Sequence, residues 1–460
     1  MTWHISKSQI IALLVIQVIL GLSILIFPYG YVFLSLLALG VLSFIILRPI
    51  DGYLVYIFSL GIPIGLLGKA GPATLSLRLP DVAFFGVLLG YLVYRTAKQS
   101  SSIEPTPFVN LVLALNAWMF ISLLWVTNYT WTLASGFRRF YCLMIFLLTI
   151  FIIDSEKVLK KAYVAWIILG TFLAIFGLFQ LIFVKSTLIE LGADRVHWAP
   201  IRTAGFSHTS HVLAAMLSFS AFIIFAQLET IKKRILRFIL FFSVCLIFLA
   251  LLATFSKSIL YGFVAGCIPF AFKYVKFRKY LVRIVGVALF LAVPIAGGIF
   301  LQALLLRHIY IFEYGLGETI PGRLKLWEAV GQSILDHPLL GVGLGMFRSV
   351  VPEYDPTSTT TPHNLYIFFL TEYGMIGLLL LLIIISYILS KTINIIKNTD
   401  NLYFQTFAMA TSCGLITYLV AALALSYSLA EYIFWAFLGL HCVTLRYASK
   451  YLKTPIGHHG

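Results

Sequence analysis

Asn364–Ser390 reads NLYIFFLTEYGMIGLLLLLIIISYILS, an apolar run broken by a single ionisable residue, Glu372. About 20 apolar residues in a helix cross the hydrocarbon of a bilayer, so this run predicts a transmembrane helix. Comparable runs recur on both sides of it. Of the 460 residues, 61% are hydrophobic and 11% charged, with a mean hydropathy of +0.99. A soluble domain carries about a quarter of its residues as charges, so lipid is the solvent for most of this chain. The runs are continuous rather than alternating, which excludes a transmembrane β-barrel. The sequence therefore predicts an all-α, polytopic bundle of about 12–14 spans in one integral membrane domain, 1–460.

The expected spans lie near 10–28, 31–47, 53–68, 81–94, 108–126, 140–153, 162–184, 211–228, 235–254, 258–273, 281–302, 364–390, 402–424 and 429–446. The one near 140–153 is short, which calls for a tilted helix or one extended by its neighbours. Lys7 precedes the first run, but Phe27-Pro28-Tyr29-Gly30 follows it in place of a small-residue cleavage site, so the first helix is expected to remain uncleaved. With the N-terminus inside, the inner connections hold Arg48, Arg95, Lys157, Lys160 and Lys161, the cluster Lys232 to Arg237, the cluster Lys273 to Arg283, Lys391 and Lys397. The tail adds Arg446, Lys450 and Lys453. Every inner connection is basic, as the positive-inside rule requires, and both termini fall on the cytoplasmic side. The net charge of +16 is thus a topology signal rather than a mark of nucleic-acid binding. The five cysteines lie in apolar segments and read as small hydrophobes, with no disulfide framework or metal site.

Lys69, Arg78, Arg138, Arg139, Lys185, Arg195, Arg202, Lys257, Arg307, Arg323, Lys325 and Arg348 remain for the outer side. The rule disfavours cations there, so they are either interfacial anchors or retained for a purpose. Two outer connections are long, 185–210 and 303–363, and the second is too long for a simple connector. Within it Leu326, Trp327, Val330 and Ile334 recur at helical spacing, after Pro321-Gly322 and before Pro338. That pattern predicts an amphipathic helix over Arg323–Leu335, lying on the membrane surface or capping a cavity.

His363-Asn364 closes this loop after Thr359-Thr360-Thr361-Pro362 and opens the apolar helix quoted above. The imidazole is expected at the membrane–water boundary, where the positive end of a helix favours the neutral ring that accepts a proton. Pattern alone assigns His363 equally to capping and to catalysis. Gly374 and Gly377 follow on the same helix, where small residues allow close packing. Gly341-Val342-Gly343-Leu344-Gly345 lacks the spacing and context of a nucleotide loop and reads as a hinge or tight turn. Glu372 and Glu431 read as structural, with a cavity-facing role and a charge-balancing role as their respective alternatives.

The spacing His363-Asn364, nine residues, Gly374, two residues, Gly377 resembles the signature of the O-antigen ligase and O-antigen polymerase superfamily. The preceding stretch, Arg323…Trp327…Asp336-His337-Pro338-Leu339-Leu340-Gly341-Val342-Gly343, resembles that family's periplasmic loop. The signature region covers 323–390, with weaker echoes at Arg202-Thr203-Ala204-Gly205-Phe206 and Thr254-Phe255-Ser256-Lys257-Ser258. The resemblance implies a bacterial inner-membrane glycosyltransferase. Its donor would be an undecaprenyl-pyrophosphate-linked glycan, transferred on the periplasmic face without metal, nucleotide or other cofactor. By the same resemblance His363 activates or orients the acceptor hydroxyl, and Arg202 matches a functional arginine of the family. Lys257 stands where the family has a second arginine. A lysine offers a point charge in place of a planar fork, so either Lys257 keeps a weaker phosphate contact or Arg323 takes it over. Asn364, Gly374 and Gly377 would support the site.

The implied acceptor is lipid A–core for a ligase, a second lipid-linked glycan for a polymerase, or a protein hydroxyl for an oligosaccharyltransferase. Ligase in lipopolysaccharide biosynthesis is the expectation adopted. The rival class is a flippase or transporter, which places ionisable residues near the bilayer midplane. The spans are nearly free of charge in their middles, which favours an interfacial enzyme.

Overall fold

The computed structural model describes residues 29–62, 78–98, 107–183, 209–296, 320–354, 362–425 and 432–452. The architecture is all-α. In chain order the helices are α1 (Tyr29–Leu47), α2 (Pro49–Ser59), α3 (Leu79–Lys98), α4 (Pro107–Ile121), α5 (Tyr129–Ile152), α6 (Glu156–Phe183), α7 (Ser210–Thr230) and α8 (Arg234–Ala253). They continue with α9 (Lys257–Lys273), α10 (Val275–Ala296), α11 (Ile320–Asp336), α12 (Phe347–Tyr354), α13 (Leu365–Asn398), α14 (Leu402–Ala421) and α15 (Tyr432–Ala448). Among the described residues seven helices are long and apolar enough to cross a membrane: α4 to α8, α13 and α14, with short 3₁₀ turns extending α4 and α14. The chain is a polytopic helical membrane bundle. The first expected span, 10–28, lies outside the described residues.

Two compact units emerge, residues 1–56 with 80–100 and residues 57–79 with 101–460. In the first, Tyr53, Tyr56 and Phe84 are fully or almost fully buried and stack tilted, with ring centroids 6.1 and 5.8 Å apart. In the second, α7 is the central helix, with 83% of its apolar window buried inside the protein. Phe219 of α7 stacks flat on Phe437 of α15, at 3.9 Å and 3°, and Trp166 of α6 meets the same Phe437 edge-on at 5.4 Å. Lipid tails are as apolar as leucine, so dispersion and shape hold such a junction together where hydrophobic exclusion cannot.

The register between helices fixes which ends lie together. A Cβ on Gly262 of α9 would fall 2.1 Å from the Thr417 carbonyl oxygen of α14, and one on Gly266 would fall 2.6 Å from that of Cys413. Rising numbers on α9 meet falling numbers on α14, so the two are antiparallel and the start of α9 lies beside the end of α14. Tyr366 Oη donates to the Leu419 carbonyl at 3.0 Å, which brings the start of α13 to that same end. His211 Nδ1 and Ser256 Oγ are 2.6 Å apart, and this adds the start of α7.

The structure departs from the expected elements at three places. The short span near 140–153 is the second half of a longer helix, α5, so Arg138 and Arg139 sit inside a helix and not in a loop. The reason is amphipathic: Leu133 and Phe137 extend its lipid-facing side while Thr132 is buried against the protein. The span expected at 281–302 begins earlier, at Val275, because the basic segment 276–283 is helical. The span expected at 53–68 is helical as Pro49–Ser59, and 63–68 falls outside the described residues.

Candidate functional site

α13 begins with Asn364 as its N-cap, the Oδ1 accepting from the amides of Tyr366 at 2.9 Å and Ile367 at 3.1 Å. His363 directly precedes the cap, is half-buried, and has a left-handed backbone with φ 50°. A non-glycine residue holds that conformation only when its surroundings over-determine it. Here the neighbours do so: the buried Pro362 carbonyl accepts from Trp327 Nε1 of α11 at 2.7 Å, and the cap fixes the other side. The predicted amphipathic helix is therefore present as α11, three residues longer at its start and one at its end than expected. Its apolar face, Leu326 and Val330, packs against Phe347 and Val351 of α12 and against Ile367 and Phe368 of α13. It packs across α12 and the start of α13.

Beneath His363 the chain makes a second unusual structure. α13 is not continuous: Gly374 has φ 65° and ψ −169°, and the loop from Pro338 to Gly343 inserts at the break. The amides of Val342 and Gly343 donate to the carbonyls of Thr371 and Glu372, both at 2.9 Å. In return the Met375 amide donates to Pro338 at 2.9 Å, and that of Ile376 to Leu339 at 3.4 Å. A broken helix leaves carbonyls and amides without helical partners, and the inserted loop satisfies them. Gly374 and Gly341 are required by close approach: a Cβ on the first would lie 2.1 Å from the Leu339 oxygen, and one on the second 2.5 Å from the Gly374 nitrogen. Gly374 thus serves a helix break, not the helix packing expected of it, whereas Gly377 packs closely beside Trp118. Gly341–Gly345 is a tight turn with positive φ at all three glycines, and its burial makes it a fixed element. Trp125 Nε1 braces the turn by donating to the Gly341 carbonyl at 3.2 Å, and Trp118 Nε1 donates to the Tyr373 carbonyl beside the helix break at 3.0 Å.

A buried pair of opposite charges sits at the same break. Arg139 of α5 and Glu372 of α13 are 6% and 2% exposed and interact electrostatically. The Glu372 carboxylate accepts a long 3.4 Å bond from the Phe347 amide, so it holds the first residue of α12. The Arg139 guanidinium lies 5.9 Å from the Phe368 ring centroid, and its Nη1 has no hydrogen-bond partner. Removing either partner of a buried pair leaves a charge uncompensated, which makes the pair a structural commitment. Glu372 is buried and bonded to the start of α12. Arg139 is the residue sequence reasoning missed, because Arg138-Arg139 reads as a loop boundary; an ionisable residue inside an apolar run is the signal that finds it. The spans are accordingly not free of buried charge, and this pair sits where the loop enters the helix break.

The remaining sequence-predicted residues divide. Lys257 is exposed at the first position of α9, beside Ser256 and its partner His211. By the register above it shares one end of the bundle with His363 and Asn364. Arg323 lies on α11, and its side chain falls outside the described residues. Arg202 and Glu431 lie outside them altogether. An apolar cavity between α4, α13, α14 and α15 is lined by Val112, Ile384, Leu419, Phe434 and Trp435. Its wall at Leu419 is the residue that Tyr366 grips, one turn from His363.

Residues 242–382 match the protein-family model described as O-antigen ligase, which supports the O-antigen ligase/polymerase superfamily. The matched span includes Lys257, Arg323, the inserted loop, His363 and the helix break. No curated protein matches the chain.

Proposed function

We propose, from the O-antigen ligase domain at 242–382, that this membrane protein is a glycosyltransferase using an undecaprenyl-pyrophosphate-linked glycan at the periplasmic face of a bacterial inner membrane. The observation that supports it best is the construction around His363. Its backbone is locked from both sides by Trp327 and Asn364, at the end of the bundle that also carries Lys257.

In this reading an acceptor hydroxyl oxygen attacks the anomeric carbon of the donor sugar. A carbon–oxygen bond to the acceptor forms as the bond to pyrophosphate breaks, inverting the centre. The hydroxyl proton passes to the neutral His363 imidazole, assistance worth about 10²–10⁴-fold. The electron pair leaves with the lipid pyrophosphate, whose charge meets Arg202, Lys257 and Arg323. No metal or cofactor is invoked. The preferred acceptor is lipid A–core, which makes the enzyme an O-antigen ligase.

Reconstitution with a lipid-pyrophosphate oligosaccharide and each acceptor in turn tests this. Transfer to lipid A–core alone is the expected result; growth of the lipid-linked chain would instead identify a polymerase. Movement of the lipid across the bilayer without transfer would identify a flippase. His363→Ala and Arg202→Ala should abolish transfer in folded protein, and full activity in either defeats the site assignment.

A further inference from the structure

The end of the second unit opposite His363 carries an uncompensated basic surface. It is built from two turns, one between α7 and α8 and one between α9 and α10. Lys232 and Lys233 of the first turn, Arg234 at the start of α8, and Lys276, Arg278 and Lys279 at the start of α10 are all exposed. The turns are neighbours: Phe241 of α8 lies 6.3 Å from Tyr280 of α10, and Phe225 of α7 meets Phe277 edge-on at 4.7 Å. Glu229, at the end of α7, ties them together by interacting with Lys276, Arg237 and the Phe277 amide. It is the sole carboxylate in 227–239 and 271–285.

Three other cations at this end are already engaged. Arg446 donates to the carbonyls of Ile150 and Ile153, Lys160 lies 5.1 Å from the Tyr403 ring, and Lys450 lies 4.7 Å from the Tyr447 ring. By contrast, the side chains of Lys232, Lys233, Arg234, Arg278 and Lys279 have no hydrogen bond or ion pair among the described residues. Orientation alone asks only for an excess of basic residues in each loop. It does not ask for adjacent clusters left open. Phe238, one turn after Arg234 on α8, and Phe272, beside Lys273 on α9, are 65% and 84% exposed. A cationic rim above exposed aromatic side chains matches the phosphate and acyl parts of one lipid molecule.

We propose that this surface docks the phosphodiester headgroups of acidic phospholipids, independently of the catalytic reading. The charge complementarity selects a lipid over a protein partner because the apolar flank is continuous with the bilayer-facing sides of α8 and α9. Each basic residue near an anionic lipid surface contributes about fivefold in affinity. The test is native mass spectrometry of the full-length protein, released from nanodiscs of equal phosphatidylglycerol and phosphatidylcholine. The expected result is selective retention of phosphatidylglycerol, falling at least tenfold in Lys232→Gln/Lys233→Gln and, separately, in Arg278→Gln/Lys279→Gln. Lys391→Gln/Lys397→Gln removes the same charge from the same end and should leave retention unchanged. Equal retention of both lipids by the unaltered protein overturns the proposal. So does an equal fall in the control variant, which would make the effect one of net charge. Displacement of the retained lipid preference by inorganic polyphosphate, with no lipid selectivity remaining, would identify a soluble polyanion site and overturn it as well.

Discussion

Gly374→Ala is the sharpest test of how the site is held. The residue sits at φ 65°, ψ −169°, a region essentially restricted to glycine, and placing an alanine there costs about 1–3 kcal/mol in backbone strain. Its methyl group would lie 2.1 Å from the Leu339 oxygen and 2.3 Å from its carbonyl carbon. Backbone cannot rotate away as a side chain does, so the loop must shift, adding about 1–3 kcal/mol. That shift loosens the bonds from Met375 to Pro338 and from Ile376 to Leu339, each worth about 1 kcal/mol net. The expected destabilisation is about 3–6 kcal/mol, or a midpoint lowered by about 5–15 °C. Thermal unfolding of detergent-solubilised protein, followed by tryptophan fluorescence, reads it directly, because Trp118 and Trp125 bond to the clamp itself. Gly331→Ala on α11 is the control: nothing lies within 4 Å of its Cβ, and alanine should stabilise that helix by about 0.5–1 kcal/mol. A Gly374→Ala protein within about 0.5 kcal/mol of the unaltered one would refute the inserted-loop geometry.

Three further outcomes follow from the same construction. Glu372→Gln and Arg139→Met should each cost about 3–5 kcal/mol in denaturation midpoint measurements, and the double substitution should cost less than both together by about 1–3 kcal/mol; strict additivity would show that the two charges are not partners. Asn364→Ala should lower stability by about 1 kcal/mol through loss of the cap, and should reduce transfer further because His363 loses one of its two anchors; unchanged transfer would separate the cap from the site. Lys257→Arg should strengthen binding of a lipid pyrophosphate, since a planar fork meets two phosphate oxygens where an ammonium meets one; weaker or equal binding in equilibrium titration would remove Lys257 from the phosphate contacts.

Much of this molecule is legible in one dimension. Bilayer thickness and the cost of bare backbone polar groups are simple enough that apolar run length alone specifies helices and their crossings. The same logic locates α11, whose period of apolar residues is bounded by prolines, and the helix start at His363-Asn364, where a cap residue meets a lipid-length run. Glycines at 341 and 374 announce special backbone but not its purpose. That they face each other, so that a loop enters a broken helix, depends on contacts between segments that are remote in sequence. Arg139 shows the same limit: its neighbours in sequence suggest a loop, and only the fold brings its side chain to the break in α13, where it is a counter-charge of Glu372. Run length and charge sign are properties of single segments, and the sequence by itself determined the helices and the location of a candidate histidine. Which residues brace that histidine is a property of pairs brought together by folding, and the tertiary structure alone decided it.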